Sequence, residues 1–417
     1  MDMARLFSAL VLVVSLLAAP TPAQAHAATG APNPVVLWNS NAQQAIYEVA
    51  RQAPYVAPRS FAMVHGAIYD AVNAISGTPY EPYLTAPPAR RGDSLDAAVA
   101  AAAYRVLISL FPAQAASLDE MYADALAKVP AGGAKNRGIT VGERAAAAMI
   151  AARVGDGAFG DATWNASTAP GQWRPTPPTL GSDGAWVGDL RPFVIPRGDM
   201  FRTAGPPALT GAAWARDFNE VKAIGAVNST VRTPDQTEAA IWWHDRRLTE
   251  WEIKRQVAER QHLGTLPAAR FFAIAEIANA DSLIACFNEK KFWNFWRPVT
   301  AVQSAADDGN PRTAPDPAWM PLLVTPPFPD YTSGHTCSTS TIMYAMRSFF
   351  GRDSIPFSAY SADSGTTRHF PSFSAALDEV VEARIWGGVH YREADVQGVR
   401  IGNGVAKYVL SHEFRRR

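Results

Sequence analysis

The chain has only two cysteines among 417 residues, Cys286 and Cys337, so no cysteine-rich zinc pattern is available. There is no H-E-x-x-H pair and no G-x-x-x-x-G-K-[ST] phosphate loop. His65 and Asp70 are five apart and make a poor shared metal face, and His244, His262, His369 and His412 have no ligand partner at useful spacing. Charge of one sign is also missing. With 38 basic and 38 acidic side chains, nothing favours nucleic acid or an anionic membrane as partner. Anion chemistry must then come from a local gathering of cations. Long apolar runs are scarce. Leu6 to Ala19 spans fourteen residues, which is short for a membrane span. LDAAVAAAAYRVLISLF carries Asp96 and Arg105, so no stretch beyond the N-terminus is expected to insert stably in a membrane. Persistent strand alternation and sequence repeats are absent.

What is present is helical periodicity. At 48% hydrophobic, the chain can fill a large core, as one domain or two packed halves. Apolar residues recur at three- and four-residue spacing over 36–53 and 59–76, and 94–111, 114–129 and 140–154 are alanine-rich. The pattern resumes at 211–225, 234–246, 248–263, 267–303, 334–351, 373–386 and 393–412. Thr233-Pro234 supplies a cap with proline at the first helical position. Between them, 157–208 holds eight prolines with Trp164, Trp173 and Trp186. That is too long for an ordinary linker, and its aromatics predict packing onto the body, as a wrap between bundles or as a rim over a site. The fold expected is all-α: an N-terminal helical half at 26–208 and a C-terminal half at 209–417. Arg5, the apolar run and Ala23-Gln24-Ala25 read as a signal peptide over 1–25, cut before His26, with a membrane anchor as the alternative. The mature protein is then expected outside the cytoplasm, secreted or periplasmic, where Cys286 and Cys337 are either disulfide-bonded or two buried thiols.

Three motifs in the last third carry chemistry. Lys290 and Arg297, in KKFWNFWRP, are seven apart. On one helix they would point the same way and grip one anion, while Lys291 would point elsewhere. Phe292, Trp293, Phe295 and Trp296 between them suggest burial, where cations need a counter-charge. Ser333-Gly334-His335, in PPFPDYTSGH, opens a helical run and offers a hydroxyl and bare N–H groups at a helix N-terminus. Arg384 and His390, in RIWGGVHYR, are about 240° apart on an unbroken helix, but Gly387-Gly388 permits a break that aims both at one point. Singly, each is ordinary: a solvated face, a helix cap, a core histidine. Together they describe an oxyanion cradle.

In order and residue type these motifs resemble the vanadium-dependent haloperoxidases and the related type 2 phosphatidic-acid phosphatases. The likeness to the secreted bacterial haloperoxidase-like branch takes in AMVHGAIYDAVNAI and RTPDQTEAAIWW as well. Two departures are Thr332, where the family often has proline, and Ala383, where it often has serine. The resemblance implies paired helical bundles with the site in the C-terminal one. It implies vanadate on His390, with Lys290, Arg297 and Arg384 on its oxygens, Ser333 and the Gly334 N–H donating, and His335 and Lys290 acting on hydrogen peroxide. Halide would be oxidised beside Phe287 and Phe328. The same cradle would serve an acid phosphatase, with phosphate in place of vanadate, His390 as nucleophile and His335 protonating the leaving oxygen of a phosphate ester. A protein that merely binds oxyanions is the third reading.

Overall fold

The structure, a computed structural model, describes residues 33–245, 247 and 251–417. The expected signal peptide lies outside the described residues, as do the first positions of the 248–263 segment. Helices dominate, beginning with α1 (Pro34–Gln43), α2 (Ala57–Ile75), α3 (Leu95–Leu110), α4 (Ala115–Ala127) and α5 (Gly133–Ala152). After the crossover come α6 (Ala212–Ile224), α7 (Pro234–Trp242), α8 (Ile253–Arg260), α9 (Thr265–Trp293) and α10 (Pro298–Gln303). The chain ends with α11 (Gly334–Phe350), α12 (Phe373–Trp386) and α13 (Arg392–His412).

Two of these form the centre. All nineteen residues of α2 are buried, and it packs along α9. By length and composition α9 could cross a membrane, contrary to the expectation that nothing beyond the N-terminus could; yet 94% of its most apolar window lies inside the protein. It is a core helix, apolar all round because neighbours cover every face. Buried carboxylates fasten loops to this centre. Asp70 on α2 accepts the N–H groups of Tyr83, Leu84 and Thr85 at 2.7, 2.9 and 3.0 Å. Asp281 on α9 does the same for Phe193, Val194 and Ile195 at 2.6, 2.8 and 2.9 Å. Each bond satisfies a loop donor that would otherwise be buried unpaired.

The crossover therefore lies along α9. Trp164 packs on Phe287, the Trp173 N–H donates to the Asn294 carbonyl at 2.8 Å, and Arg202 pairs with Glu289 at 2.7 Å. It is a wrap, and at Asp183–Gly184 it also reaches the rim of the site.

Two local differences from the periodicity have clear causes. A hairpin, β1 (Phe357–Ser361) and β2 (Thr366–Phe370), stands where no strand was expected. Each strand is five residues long, too short to show alternation, and Trp242 and Trp243 cover it at Phe370. The helix expected over 267–303 breaks at Asn294, which is left-handed at φ 48°.

Helices α11 and α13 meet at van der Waals closeness. A Cβ on Gly402 would lie 2.3 Å from the Cys337 carbonyl oxygen, and one on Gly398 would lie 2.8 Å from that of Ser333. This contact, with the Cys286–Cys337 disulfide joining α9 to α11, fixes the N-terminus of α11.

Candidate active site

The site lies where α9, α11 and the α12–α13 connection converge on the loop 326–332. Lys290 is in the last turn of α9. Arg297 is not on that helix. After the turn at Asn294 it takes extended geometry at φ −80°, ψ 157° before Pro298, as residues preceding proline do. The seven-residue spacing thus acts through a chain reversal rather than along one helical stripe. Both cations nonetheless reach the same loop. Lys290 Nζ donates to the carbonyls of Pro329 and Asp330 at 2.8 and 2.9 Å. Arg297 donates through Nε to the Phe328 carbonyl and through one terminal nitrogen to that of Val389, each at 2.8 Å.

Arg384 sits in the last turn of α12, which stops at Gly387. Gly388 is left-handed at φ +74°, the break that the pair of glycines permits, and it swings His390 back toward the cations. His390 Nδ1 lies 2.8 Å from Asp330 Oδ1, and its Nε2 lies 3.2 Å from an Arg297 nitrogen. Ser333 is the N-cap of α11, held by its own N–H to the Ala394 carbonyl at 3.0 Å. The first turn of α11, with Gly334 and His335, presents N–H groups that have no acceptor within the helix. Lys290, Arg297, Ser333 and Arg384 are 0% exposed and His390 is 1% exposed, whereas His335 is half-buried at the site's opening.

Charge at this depth is unstable without compensation. Burial first, then Arg297, holds the Lys290 ammonium well below its usual range. Burial, then Arg297, Lys290 and Arg384, holds His390 low, so it rests as neutral imidazole. Two acids missing from the sequence reading complete the set. Burial lifts the Asp330 carboxyl to about 7 against the pull of Arg297 and Lys290. Asp395 is raised well above its ordinary value by burial, with the Ser333 hydroxyl and Arg384 opposing. Asp330 stood in plain view in PPFPDYTSGH; an acid inside an anion cradle offers no signal when only cations are sought.

A raised carboxyl stabilises the fold below its unfolded pKa and loses that contribution as pH climbs through its folded value. Asp330→Asn is therefore expected to gain on wild type in thermal midpoint between pH 5 and 8, by several degrees. A pH-independent difference would show that Asp330 does not carry the shift.

The opening is a cleft lined by Tyr55, Trp243, Leu283, Phe287, Phe328 and His335. Its cavity volume is about 50 Å³. Phe328 lies beneath both cations, 5.1 Å from Lys290 Nζ and 5.1 Å from the Arg297 guanidinium carbon. Phe287 is 5.9 Å from Lys290 Nζ. Ala383 is fully buried and brings no hydroxyl.

Residues 270–416, which contain every cradle residue, match the family model of the VCPO second helical-bundle domain. This part of the chain is therefore similar to the second helical bundle of the vanadium haloperoxidases. The vanadium chloroperoxidase of Curvularia inaequalis is 29% identical over 152 residues, 30% of this chain and 24% of that protein. The chain thus matches about a quarter of the length of that curated relative. A bacterial vanadium-dependent iodoperoxidase structure superposes with TM-score 0.78 at 23% identity, covering 92% of this chain and 98% of that one. A holo-type bacterial vanadium-dependent chloroperoxidase gives 0.71 at 18%, covering 89% and 95%. At these identities the two structures show the haloperoxidase fold, which is all-α here as in them.

Proposed function

We propose that the protein is a vanadate-dependent haloperoxidase that oxidises halide with hydrogen peroxide. The observation that carries this is a cradle of three fully buried basic side chains and a neutral imidazole lying behind a small aromatic cleft. The names of its relatives, a chloroperoxidase and an iodoperoxidase among them, point the same way.

The cradle's residues fit a vanadate. Lys290, Arg297 and Arg384 are all fully buried and lie close enough to His390 to act on its charge, a donor set suited to a multivalent oxyanion. Lys290, Arg297 and Arg384 would hold the oxygens, with Ser333 and the first N–H groups of α11 donating to them. Asp330 lies 2.8 Å from His390 Nδ1, so Nε2, which here faces Arg297, is the nitrogen that would bind vanadium. When bound, vanadate supplies a Lewis acid that activates peroxide for two-electron oxidation of halide without changing its own oxidation state. Lys290 and Arg297 are already fixed on main-chain carbonyls, so little reorganisation accompanies charge development. His335, at the opening, is placed to move a proton to or from peroxide. Phe287, Phe328 and Leu283 exclude water around a weakly hydrated halide.

The phosphatase reading uses the same residues, and the small size of the cleft favours the peroxidase over it. A cavity needs roughly 10–15 Å³ to hold one water, so the space suits small molecules better than a bulky ester. The test is one purified sample, with and without orthovanadate, assayed for bromination of monochlorodimedone and hydrolysis of p-nitrophenyl phosphate. Vanadate-dependent bromination supports the reading. Hydrolysis that vanadate inhibits, with no bromination, overturns it.

His335→Ala is expected to lose halide oxidation by about 10²-fold or more while keeping most of its vanadate affinity. Under a phosphatase, that variant would instead lose esters with poor leaving groups selectively. We also place the mature protein outside the cytoplasm. Intact mass of the exported protein is expected to show a chain beginning at His26; one beginning at Met1 in the membrane fraction would favour an anchor.

A further inference from the structure

Tyr55 stands in the cleft wall, in the segment that leads into α2. Its ring centroid is 5.3 Å from those of Phe287 and Phe328, and it lines the same space as His335. It is 9% exposed, so most of its ring is committed to packing and only one part meets the cleft. Its hydroxyl donates to Asp183 Oδ2, and the other Asp183 oxygen accepts the Gly184 N–H at 2.7 Å. The Asp183 N–H is in turn fixed to the Pro327 carbonyl at 3.1 Å, within the loop that carries Phe328 and Asp330. The crossover thus brings a carboxylate to a phenol at the mouth of the cradle. A Cβ on Gly184 would fall 2.7 Å from Tyr55 Cε2, so the Gly184 backbone covers that edge of the ring.

A phenol that donates to a carboxylate is activated toward electrophiles, because the proton can leave as the ring loses electron density. In a haloperoxidase this ring borders the space where the electrophile is formed. We propose that Tyr55 is a halogenation site of the enzyme itself, taking halogen from hypohalous acid before that acid leaves the cleft. The inference rests on the haloperoxidase reading.

The step balances without a further reagent. The electron pair of a ring carbon ortho to the hydroxyl attacks the halogen of hypohalous acid, and the oxygen–halogen bond breaks to release hydroxide. Asp183 takes the phenolic proton while the ring is dearomatised. Hydroxide then removes the proton from that ortho carbon, giving water, and Asp183 returns its proton to the phenolate oxygen. The sum is hypohalous acid plus ring C–H giving ring C–halogen plus water. Hydrogen peroxide is the oxidant that forms the hypohalous acid from halide.

Trp243 lines the same cleft, but its indole N–H donates to Glu379 at 2.9 Å, on the side of α12. Tyr360 is 59% exposed on β1 and serves as the reporter of hypohalous acid that has escaped to solvent.

The experiment is peptide mapping by mass spectrometry of the full-length protein loaded with orthovanadate and turned over with bromide and hydrogen peroxide, without organic acceptor. Bromine is expected on Tyr55 in about tenfold excess over Tyr360, since formation beside the ring replaces a diffusional encounter. Hypobromite added from solution to the vanadate-free protein is expected to reverse that order. In Tyr55→Phe, the peptide spanning residue 55 is expected to stay unmodified under turnover. Bromine on Tyr360 at equal or higher occupancy, or on Trp243 in place of Tyr55, would overturn the proposal. So would an intact Tyr55 in a sample that brominates monochlorodimedone, and this result leaves the haloperoxidase reading standing. Absence of any halide oxidation would remove both.

Discussion

Replacing His390 with alanine is expected to abolish vanadate-dependent halide oxidation, by about 10³-fold or more. The imidazole is buried between Asp330 at Nδ1 and Arg297 near Nε2, and its environment keeps it neutral, so a lone pair is available to a metal or a phosphoryl group. Any phosphate-ester hydrolysis should vanish with it, because the same nitrogen would be the nucleophile. Oxyanion binding should survive in part. Lys290, Arg297 and Arg384 remain, so phosphate should still be detected by calorimetry. That combination separates a lost ligand atom from a collapsed site. Wild-type turnover in either assay would show that His390 is not the group that bonds the reacting centre.

Arg297→Ala and Arg384→Ala are each expected to weaken orthovanadate or phosphate binding by roughly 2–4 kcal/mol, as for charged contacts removed from a desolvated site. The two should differ in their side effects. Arg297 also supports the Phe328 and Val389 carbonyls, so its loss leaves buried acceptors bare and should lower the thermal midpoint as well. For both variants the check is calorimetric titration with oxyanion beside a melting curve. Unchanged affinity in either one would make that arginine structural.

The helices were legible because their apolar periodicity is local, and the three motifs were legible because each places its residues within one short segment. The geometry joining Lys290 to Arg297 was not. It depends on a left-handed Asn294 and the restriction that Pro298 places on the residue before it, and helical spacing arithmetic passes over both. Asp330 and Asp395 went unremarked because charge logic alone would keep acids out of an anion site. Only burial, which favours their neutral forms, makes them compatible with it. Tyr55 was beyond reach for another reason. It joins the cleft across more than two hundred residues of sequence, through a crossover whose path is set by Asp281 and Asp183 rather than by any periodic pattern. The hairpin at 357–370 was hidden by strand length.

The account rests centrally on one oxyanion site assembled from α9, α11 and the α12–α13 connection. Anomalous diffraction from crystals soaked in orthovanadate tests it most directly. The account predicts a single vanadium peak bonded to His390 Nε2, with oxygens facing Lys290, Arg297, Arg384 and the first turn of α11. No peak in the cradle, or a peak bonded elsewhere while His390 stays unligated, would contradict it.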